Sequence, residues 1–499
     1  MYVLGIGQIG GQDSSAVLLK DGEIKIAIEE ERLTRIKHVG GFPNKSIEKI
    51  LELEGIKLKD IDHIAIVDRP FYRFIRRITD WYLPKMFNYP KNSFYHILYD
   101  EIPALIDFFK AKAKLSSGSQ NNTRIHFIEH HIAHMASAFL VSPFDEAAIL
   151  TLDARGELAT TAFGIGNRKQ IKKLNEAKMP HSLGMFYAAI TDYLGFKHGE
   201  DEYKVMGLAS YGEPTYAEKF KKILRFDKKN ILVSDLKYFS YQNGRGFFSK
   251  KFYDLFGPAR NPNEPIEKKH KDLASSAQLL LEELVIQLGI YLKEITGKKN
   301  LCMAGGVALN CVANSKLYQK KIFENIFVQP AAGDSGGALG AAYYVYNTIL
   351  SNERNYIMKS ALLGPEFSNK DIERTLIISK VQYRKSDNIC RETAKALAVG
   401  KIVGWFQFKM EFGPRALGGR SILADPTDPK MKDRINSCVK FREEFRPFTP
   451  SVKSEKAKIF FDLDFVSRFM LFTFPVRDKY KKILPAITHV DGTARVQCV

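Results

Sequence analysis

With 499 residues, 45% hydrophobic and 26% charged, the chain is too long for one ordinary core and too apolar for a disordered one, so two folded domains are expected. Its 75 basic against 56 acidic residues leave a formal charge of +19, spread along the chain rather than gathered in a tail. That suits anionic small substrates as well as nucleic acid. Cys302, Cys311, Cys390, Cys438 and Cys498 form no CxxC pair, which argues against a zinc ribbon or a disulfide framework. The opening MYVLGIGQIGG is not a signal peptide, and no run of about 18 uninterrupted apolar residues marks a membrane span. A cytoplasmic protein with no membrane partner is expected.

In chain order, Tyr2–Ile6 reads as a short strand followed by a Gly-rich turn. Ser14–Leu19 and Glu23–Glu29 then flank the turn Lys20-Asp21-Gly22, which is hairpin spacing. Asn44–Leu53 carries apolar residues at helical spacing. Between Phe71 and His96, Arg73, Arg76, Arg77, Lys85 and Lys91 interleave with Tyr72, Phe74, Trp81, Tyr82 and Phe87. This stretch reads either as a nucleic-acid- or membrane-facing surface or as an insertion whose rings dock on the domain while its charges stay solvated. A second strand–turn–strand unit starts at Ala147: Ala148–Leu152 ends in Asp153, a small Gly-containing turn follows, and Leu158–Ile165 returns. Both units set an acidic residue, Asp13 or Asp153, beside a Gly-containing turn. Matching hairpins predict an internally duplicated α/β domain of the actin-like kind, in which two related halves clamp a nucleotide. Ser275–Ile295 is a longer helical run. Leu301–Ala304 and Phe327–Pro330 are short buried-type strands running into Gly305-Gly306 and Gly333–Gly340. Gly364-Pro365 breaks the pattern, and Ile389–Ala398 (helix) and Lys401–Phe406 (strand) open a second domain.

Three groups of residues carry chemistry. In EHHIAHMASAF, His130 and His134 stand at i and i+4, so both imidazoles leave one helix face and can share a metal. Two core or surface histidines at that spacing are as common, but Asp153 and Asp334, read as lying at strand ends, complete a His/Asp shell that suits iron, zinc or manganese. The Gly-rich turns MAGGVALN and AAGDSGGALGAA bring backbone N–H groups to bear on phosphate oxygens, although each alone also fits tight helix–strand packing. In the second domain Arg415, Arg420, Lys440, Arg442, Arg446 and Arg495 recur beside Gly, Pro and aromatic residues. Arginine forks bind phosphate bidentately, so a converging set predicts a small phosphorylated substrate. Ion pairing with Glu411, Glu443 and Glu444 is the structural alternative.

Taken together, DSSAVLLKDG, EEERLTRIKH with GGFP, HHIAHMASAFLVSPFDEAA, DEYKVMGLASYG, GGVALN, GDSGGALGAA, MEFGPRALG, FREEFRPFTPSV and HVDGTARVQ resemble the carbamoyltransferases of the nodulation-factor and antibiotic-tailoring type. They cover nearly the whole chain. The resemblance implies an α/β protein: a duplicated actin-like (ASKHA) ATPase domain in residues 1–365, followed by a smaller, apparently truncated α/β domain that makes carbamoyl adenylate, in residues 366–499. It implies that carbamoyl phosphate and ATP, with Mg, give carbamoyl adenylate in the C-terminal domain, and that the carbamoyl group then passes to a hydroxyl of a sugar or natural-product acceptor at the N-terminal domain. Carried over by position, the metal ligands are His130, His134, Asp153 and Asp334, with iron the implied metal. Gly305, Gly306, Val307, Asn310 and Gly336 line the nucleotide, and Lys440, Arg442 and Arg495 hold carbamoyl phosphate and the nucleotide. Gln12, Asp13, Lys204, Arg415 and Arg446 are the implied catalytic residues.

Three departures stand out. Gln12-Asp13-Ser14 replaces a His-Asp-Ser, and glutamine cannot take a proton at neutral pH. Phe408-Lys409 stands where a Gly-Arg pair is usual. The chain stops at Val499, where family members continue through an LLNTSFN-type segment. The leading expectation is therefore an O-carbamoyltransferase. Behind it stand a catalytically impaired nucleotide- and metal-binding relative, an actin-like ATPase or sugar kinase, and, least expected, a nucleic-acid modifier. An oligomer is compatible with all of these.

Overall fold

The computed structural model describes residues 1–9, 11–82, 98, 101–118, 122–240 and 246–499. The chain divides into two compact units, Met1–Met358 and Lys359–Val499.

The N-terminal unit is built on two five-stranded mixed sheets of the same topology. In the first, β1 (Tyr2–Ile6), β2 (Ser15–Lys20) and β3 (Glu23–Glu29) form an antiparallel meander, and β4 (His63–Val67) and β5 (Arg124–Ile128) add parallel to β1, giving the order β3-β2-β1-β4-β5. In the second, β6 (Glu146–Leu152), β7 (Ala159–Asn167) and β8 (Gln170–Lys178) repeat the meander. After a small hairpin of β9 (Leu224–Asp227) and β10 (Ile231–Ser234), β11 (Asn300–Ala304) and β12 (Asn325–Val328) add parallel to β6. The order β8-β7-β6-β11-β12 is the first sheet again, and this duplication is the actin-like architecture. Central strands rich in Val, Ile, Leu and Ala are covered on both faces, as parallel pairing requires: Leu4, Ile6, Leu18, Ile64, Ile66 and Phe108 form one buried cluster.

The last strand of each sheet leads to an equivalent helix. His130–Phe139 follows β5, and Ser335–Tyr343 follows β12. The second helix is almost all Gly and Ala for a steric reason. A Cβ on Gly340 would collide with the Ala133 carbonyl oxygen, one on Gly336 with the Ala331 carbonyl oxygen, and one on Gly5 of β1 with the Ala338 carbonyl oxygen. Gly336, which the resemblance puts at the nucleotide, lies too close to the loop before its own helix for a Cβ to fit.

Several boundaries differ from those expected. The run read as Ser275–Ile295 is one helix, Lys268–Thr296, whose first turns break the periodicity with Lys268, Lys269, His270, Lys271 and Asp272. It is long and apolar enough to cross a membrane, yet 67% of its most apolar window is buried inside the protein. The strand expected at Phe327–Pro330 lies at Asn325–Val328. Asp334 is accordingly not at a strand end but at the N-cap of helix Ser335–Tyr343. In the basic, aromatic stretch, Arg73 is buried against Asp68 and Arg77 pairs with Glu101 at 2.9 Å, so these two cations belong to the interior. The side chains of Trp81 and Tyr82, and Lys85, Phe87 and Lys91, lie outside the described residues.

The C-terminal unit has helices Asn369–Ile378 and Ile389–Ala398, neither with a buried residue. A two-stranded ribbon, Val403–Phe406 with Arg420–Leu423, follows. Its apolar interior comes in small clusters, such as Ala361, Leu417 and Met470, or Met431, Ile435 and Ala486.

Candidate metal centre

His130 and His134 sit one turn apart on helix His130–Phe139, and their Nε2 atoms are 3.0 Å from each other. Asp153, in the β6–β7 turn, places Oδ2 3.3 Å from His130 Nε2 and 4.0 Å from His134 Nε2. Asp334 Oδ1 lies 3.5 Å from both. One ligand atom from each of the four lies within 4.8 Å of all the others. Ligands held about 2.1 Å from a tetrahedral ion stand roughly 3.4 Å apart, so the set needs little movement to close on one. The residues fit a metal for a second reason. Two carboxylates withdrawn from water and facing each other repel, and two imidazole nitrogens at hydrogen-bond distance share one proton at most. A cation satisfies all four groups at once.

Electrostatics follow from this crowding. Burial lowers the His130 imidazole, but Asp334 and Asp153 more than offset it and hold it up at about 9. Burial alone would raise Asp153; the hydrogen bond from His130 and the charges of His134 and His130 hold it well below the carboxylate range. Burial and the neighbouring Asp153 raise Asp334. His131 turns away to Thr151 Oγ1 at 2.7 Å, and burial keeps it neutral.

The surroundings fix these side chains. Asp153 Oδ1 accepts the Gly306 N–H at 3.2 Å, and the Asp153 N–H closes the hairpin onto Thr160. Gly305, at φ 90°, lies so close to Leu152 that no Cβ fits there. Asn310 caps helix Cys311–Gln319 and pairs with Gln278 through both amide groups, while Val307 is half-buried in the same turn. Behind His130 is a cavity of about 110 Å³ lined by Arg69, Glu129, Glu157 and Lys173. Arg69 forks onto Glu157 at 3.1 and 2.6 Å, yet burial outweighs it and raises Glu157 to about 7. This network, with Asp68, Arg73, Arg77 and Glu101, is absent from the sequence reading. Its members are scattered between residues 68 and 173; the sequence singles out Arg73 and Arg77 in the basic, aromatic stretch but not their carboxylate partners.

The other expected residues are placed as follows. Gln12 is exposed in the β1–β2 turn, and Asp13 beside it hydrogen-bonds His38. Lys204 pairs with Asp201 at 3.1 Å and lies over Phe196. In the C-terminal unit, Lys440, Arg442 and Arg446 come together. Although Lys440 as a residue is exposed, local desolvation and the two guanidinium charges lower its ammonium. Arg442 is held by Asn436 and stacks on Phe448, Arg446 approaches Glu443 at 3.7 Å, and Arg495 donates to Thr449. Arg415 is half-buried. Arg420 is the structural member of the set, pairing at 3.2 Å with Glu411, which also accepts three backbone N–H groups.

Residues 3–343 match the family described as carbamoyltransferase N-terminus, and residues 394–499 the carbamoyltransferase C-terminus. The chain belongs to the carbamoyltransferase family. It is 42% identical to the uncharacterized protein sll1178 of Synechocystis, over 100% of this chain and 86% of that protein. To nodulation protein NolNO of Sinorhizobium fredii it is 38% identical, over 98% of this chain and 69% of the relative. Among solved structures, component A of the (R)-2-hydroxyglutaryl-CoA dehydratase of Acidaminococcus fermentans is 16% identical at a TM-score of 0.37, covering 70% of this chain and 99% of that one. By its family this carbamoyltransferase is a transferase; by its repeated sheet topology its N-terminal unit is actin-like, with a His/Asp cluster where the two halves of that unit meet.

Proposed function

We propose that the chain is an O-carbamoyltransferase that forms carbamoyl adenylate from ATP and carbamoyl phosphate in residues 366–499. Residues 1–365 then transfer the carbamoyl group to a hydroxyl of a small-molecule or sugar acceptor. The observation that carries this reading is the convergence of His130, His134, Asp153 and Asp334 in a chain of this family. A divalent or trivalent cation held by these four, iron by the resemblance, would polarise the carbamoyl oxygen; Mg would accompany ATP. The chain's own residues do the rest. Asp153 stays ionised and is oriented by the Gly306 N–H, which fixes the adjoining Gly305–Asn310 turn that would line the nucleotide. Lys440, Arg442 and Arg446 concentrate positive charge where the phosphate of carbamoyl phosphate would bind, and Arg415 and Arg495 would neutralise charge developing on the transferred group. Nucleic acid has no role in this reading, and the compartment would be the cytoplasm.

The test is direct. Wild-type protein mixed with ATP and carbamoyl phosphate should yield carbamoyl adenylate by mass spectrometry. His134→Ala should lower bound metal, measured by elemental analysis, by on the order of 100-fold and stop transfer. If no adenylate forms, the proposal fails.

A further inference from the structure

We propose that Asp13 is the base that takes the proton from the acceptor hydroxyl and that His38 is the residue that positions it. This rests on the carbamoyl-transfer reading above.

His38 Nδ1 lies 2.7 Å from Asp13 Oδ1. Neither residue is there by default, because both have left-handed backbone conformations (φ 54° and 56°) that non-glycine residues seldom adopt. Such conformations persist where the surroundings over-determine them, and here the surroundings do. The Ser14 N–H bonds the Val39 carbonyl at 3.0 Å, Ser14 Oγ donates to the Gly41 carbonyl, and the His38 N–H bonds Glu31 Oε2 at 3.0 Å. Gly40 presses so closely on the Gly11 carbonyl that a Cβ would collide with it. The segment after β3 is thereby strapped across the β1–β2 turn.

His38 Nε2 is buried and has no hydrogen-bond partner. Its single proton in the neutral form therefore belongs on Nδ1, donated to Asp13. That hydrogen bond raises the imidazole above its ordinary value, against burial and Lys37, with Glu31 adding to the rise.

The other carboxylate oxygen of Asp13 is the reactive one. A methyl group on Gly333 would come within 4.0 Å of Asp13 Oδ2, and Ser15 Oγ donates to the Ser335 carbonyl at 2.7 Å. These two contacts bracket Asp334, so Asp13 borders the loop that supplies one side of the metal centre. Its β1–β2 turn is the counterpart, in the first half, of the β6–β7 turn that carries Asp153.

In the transfer step, the acceptor oxygen of R–OH bonds to the carbamoyl carbon, and the bond from that carbon to the AMP oxygen breaks. AMP leaves with the electron pair, and the hydroxyl proton goes to Asp13 Oδ2 and then to solvent. The products are R–O–CO–NH2, AMP and one proton.

With water as the acceptor (R = H), the full chain mixed with ATP and carbamoyl phosphate should give a burst of pyrophosphate followed by slower AMP release. His38→Leu and Asp13→Asn should keep the burst and the dependence of its rate on carbamoyl-phosphate concentration but slow AMP release about 100-fold. His38→Asn, whose amide replaces the Nδ1 donor, should stay within about tenfold of wild type. AMP release by His38→Leu at the wild-type rate, or by His38→Asn as slowly as His38→Leu, overturns the pair. Absence of the pyrophosphate burst from wild type defeats the carbamoyl-transfer reading instead. In that case imidazole 15N spectra still decide the pair: a fixed Nδ1–H tautomer that is lost in Asp13→Asn upholds it, and averaged tautomers overturn it.

Discussion

Strand β1 of the N-terminal unit is buried along nearly its whole length, whereas Val403–Phe406 of the C-terminal unit alternates half-buried with exposed residues. The same contrast runs through the helices. Ser335–Tyr343 is buried at every position, while Asn369–Ile378 and Ile389–Ala398 bury none. One unit therefore holds its His/Asp cluster in a close-packed interior. The other gathers its arginines on loops stabilised by local polar anchors, above all Glu411. Apolar packing transmits geometry over many residues, while a polar anchor fixes only the turn around it.

The contrast can be broken by experiment, starting with the anchor. Glu411→Ala strips the buried N–H groups of Leu417 and Gly419 and the Arg420 side chain of their shared acceptor. It should cost the C-terminal unit about 3–5 kcal/mol in urea unfolding; a loss under about 1 kcal/mol would mean that apolar contacts hold this unit after all. Gly340→Ala, forced against Ala133, should cost the N-terminal unit about 1–3 kcal/mol and lower metal occupancy with it. Unchanged occupancy in a destabilised variant would uncouple the helix contact from the centre.

Acidity sharpens the picture further. Because His130 is held at about 9 in the metal-free protein, metal must displace its proton. Affinity measured by calorimetry should rise about tenfold per pH unit up to that value. The metal-free protein obeys the opposite sign: the folded value exceeds the 6.5 of a free imidazole, so this stabilisation is complete below about 6.5 and fades as pH climbs through about 9. The smallest effect is expected at Ile378, 69% exposed. Ile378→Glu should change stability by no more than about 0.5 kcal/mol, and a larger loss would reveal that something covers that helix in solution.

Much of the N-terminal unit is legible in sequence because hairpin turns and helical spacing are local signals. His130 and His134 declare themselves by sitting one turn apart, and the paired turns with Asp13 and Asp153 declare the duplication. Asp334 is legible as a residue but not as a position, since a stretch of Gly and Ala gives no clue to where strand ends and helix begins. His38 is hidden for another reason. It stands alone in a charged segment, and only the strap of Val39–Gly41 over a turn some 25 residues earlier in the chain makes it a partner of Asp13. The Glu157 and Glu101 pairings are equally silent, because they join residues far apart in sequence. Arg420 and Arg442 look alike in sequence, and only the structure shows that one is anchored by the buried Glu411 while the other is held by Asn436 and stacked on Phe448.

The contact between Gly340 and Ala133 would bear on which ion the candidate centre could hold. His134 is the residue after Ala133, and Asp334 begins the helix that carries Gly340, so the spacing of two backbones acts as a gauge on the ligand cage. With no side chain on Gly340, the two backbones stand close together at that crossing. A methyl group added at that crossing would push the two helices apart and, with them, His134 from Asp334. Were a cation held there, discrimination between ions would be partly a mechanical property of the fold, adjustable at a residue outside the His/Asp set.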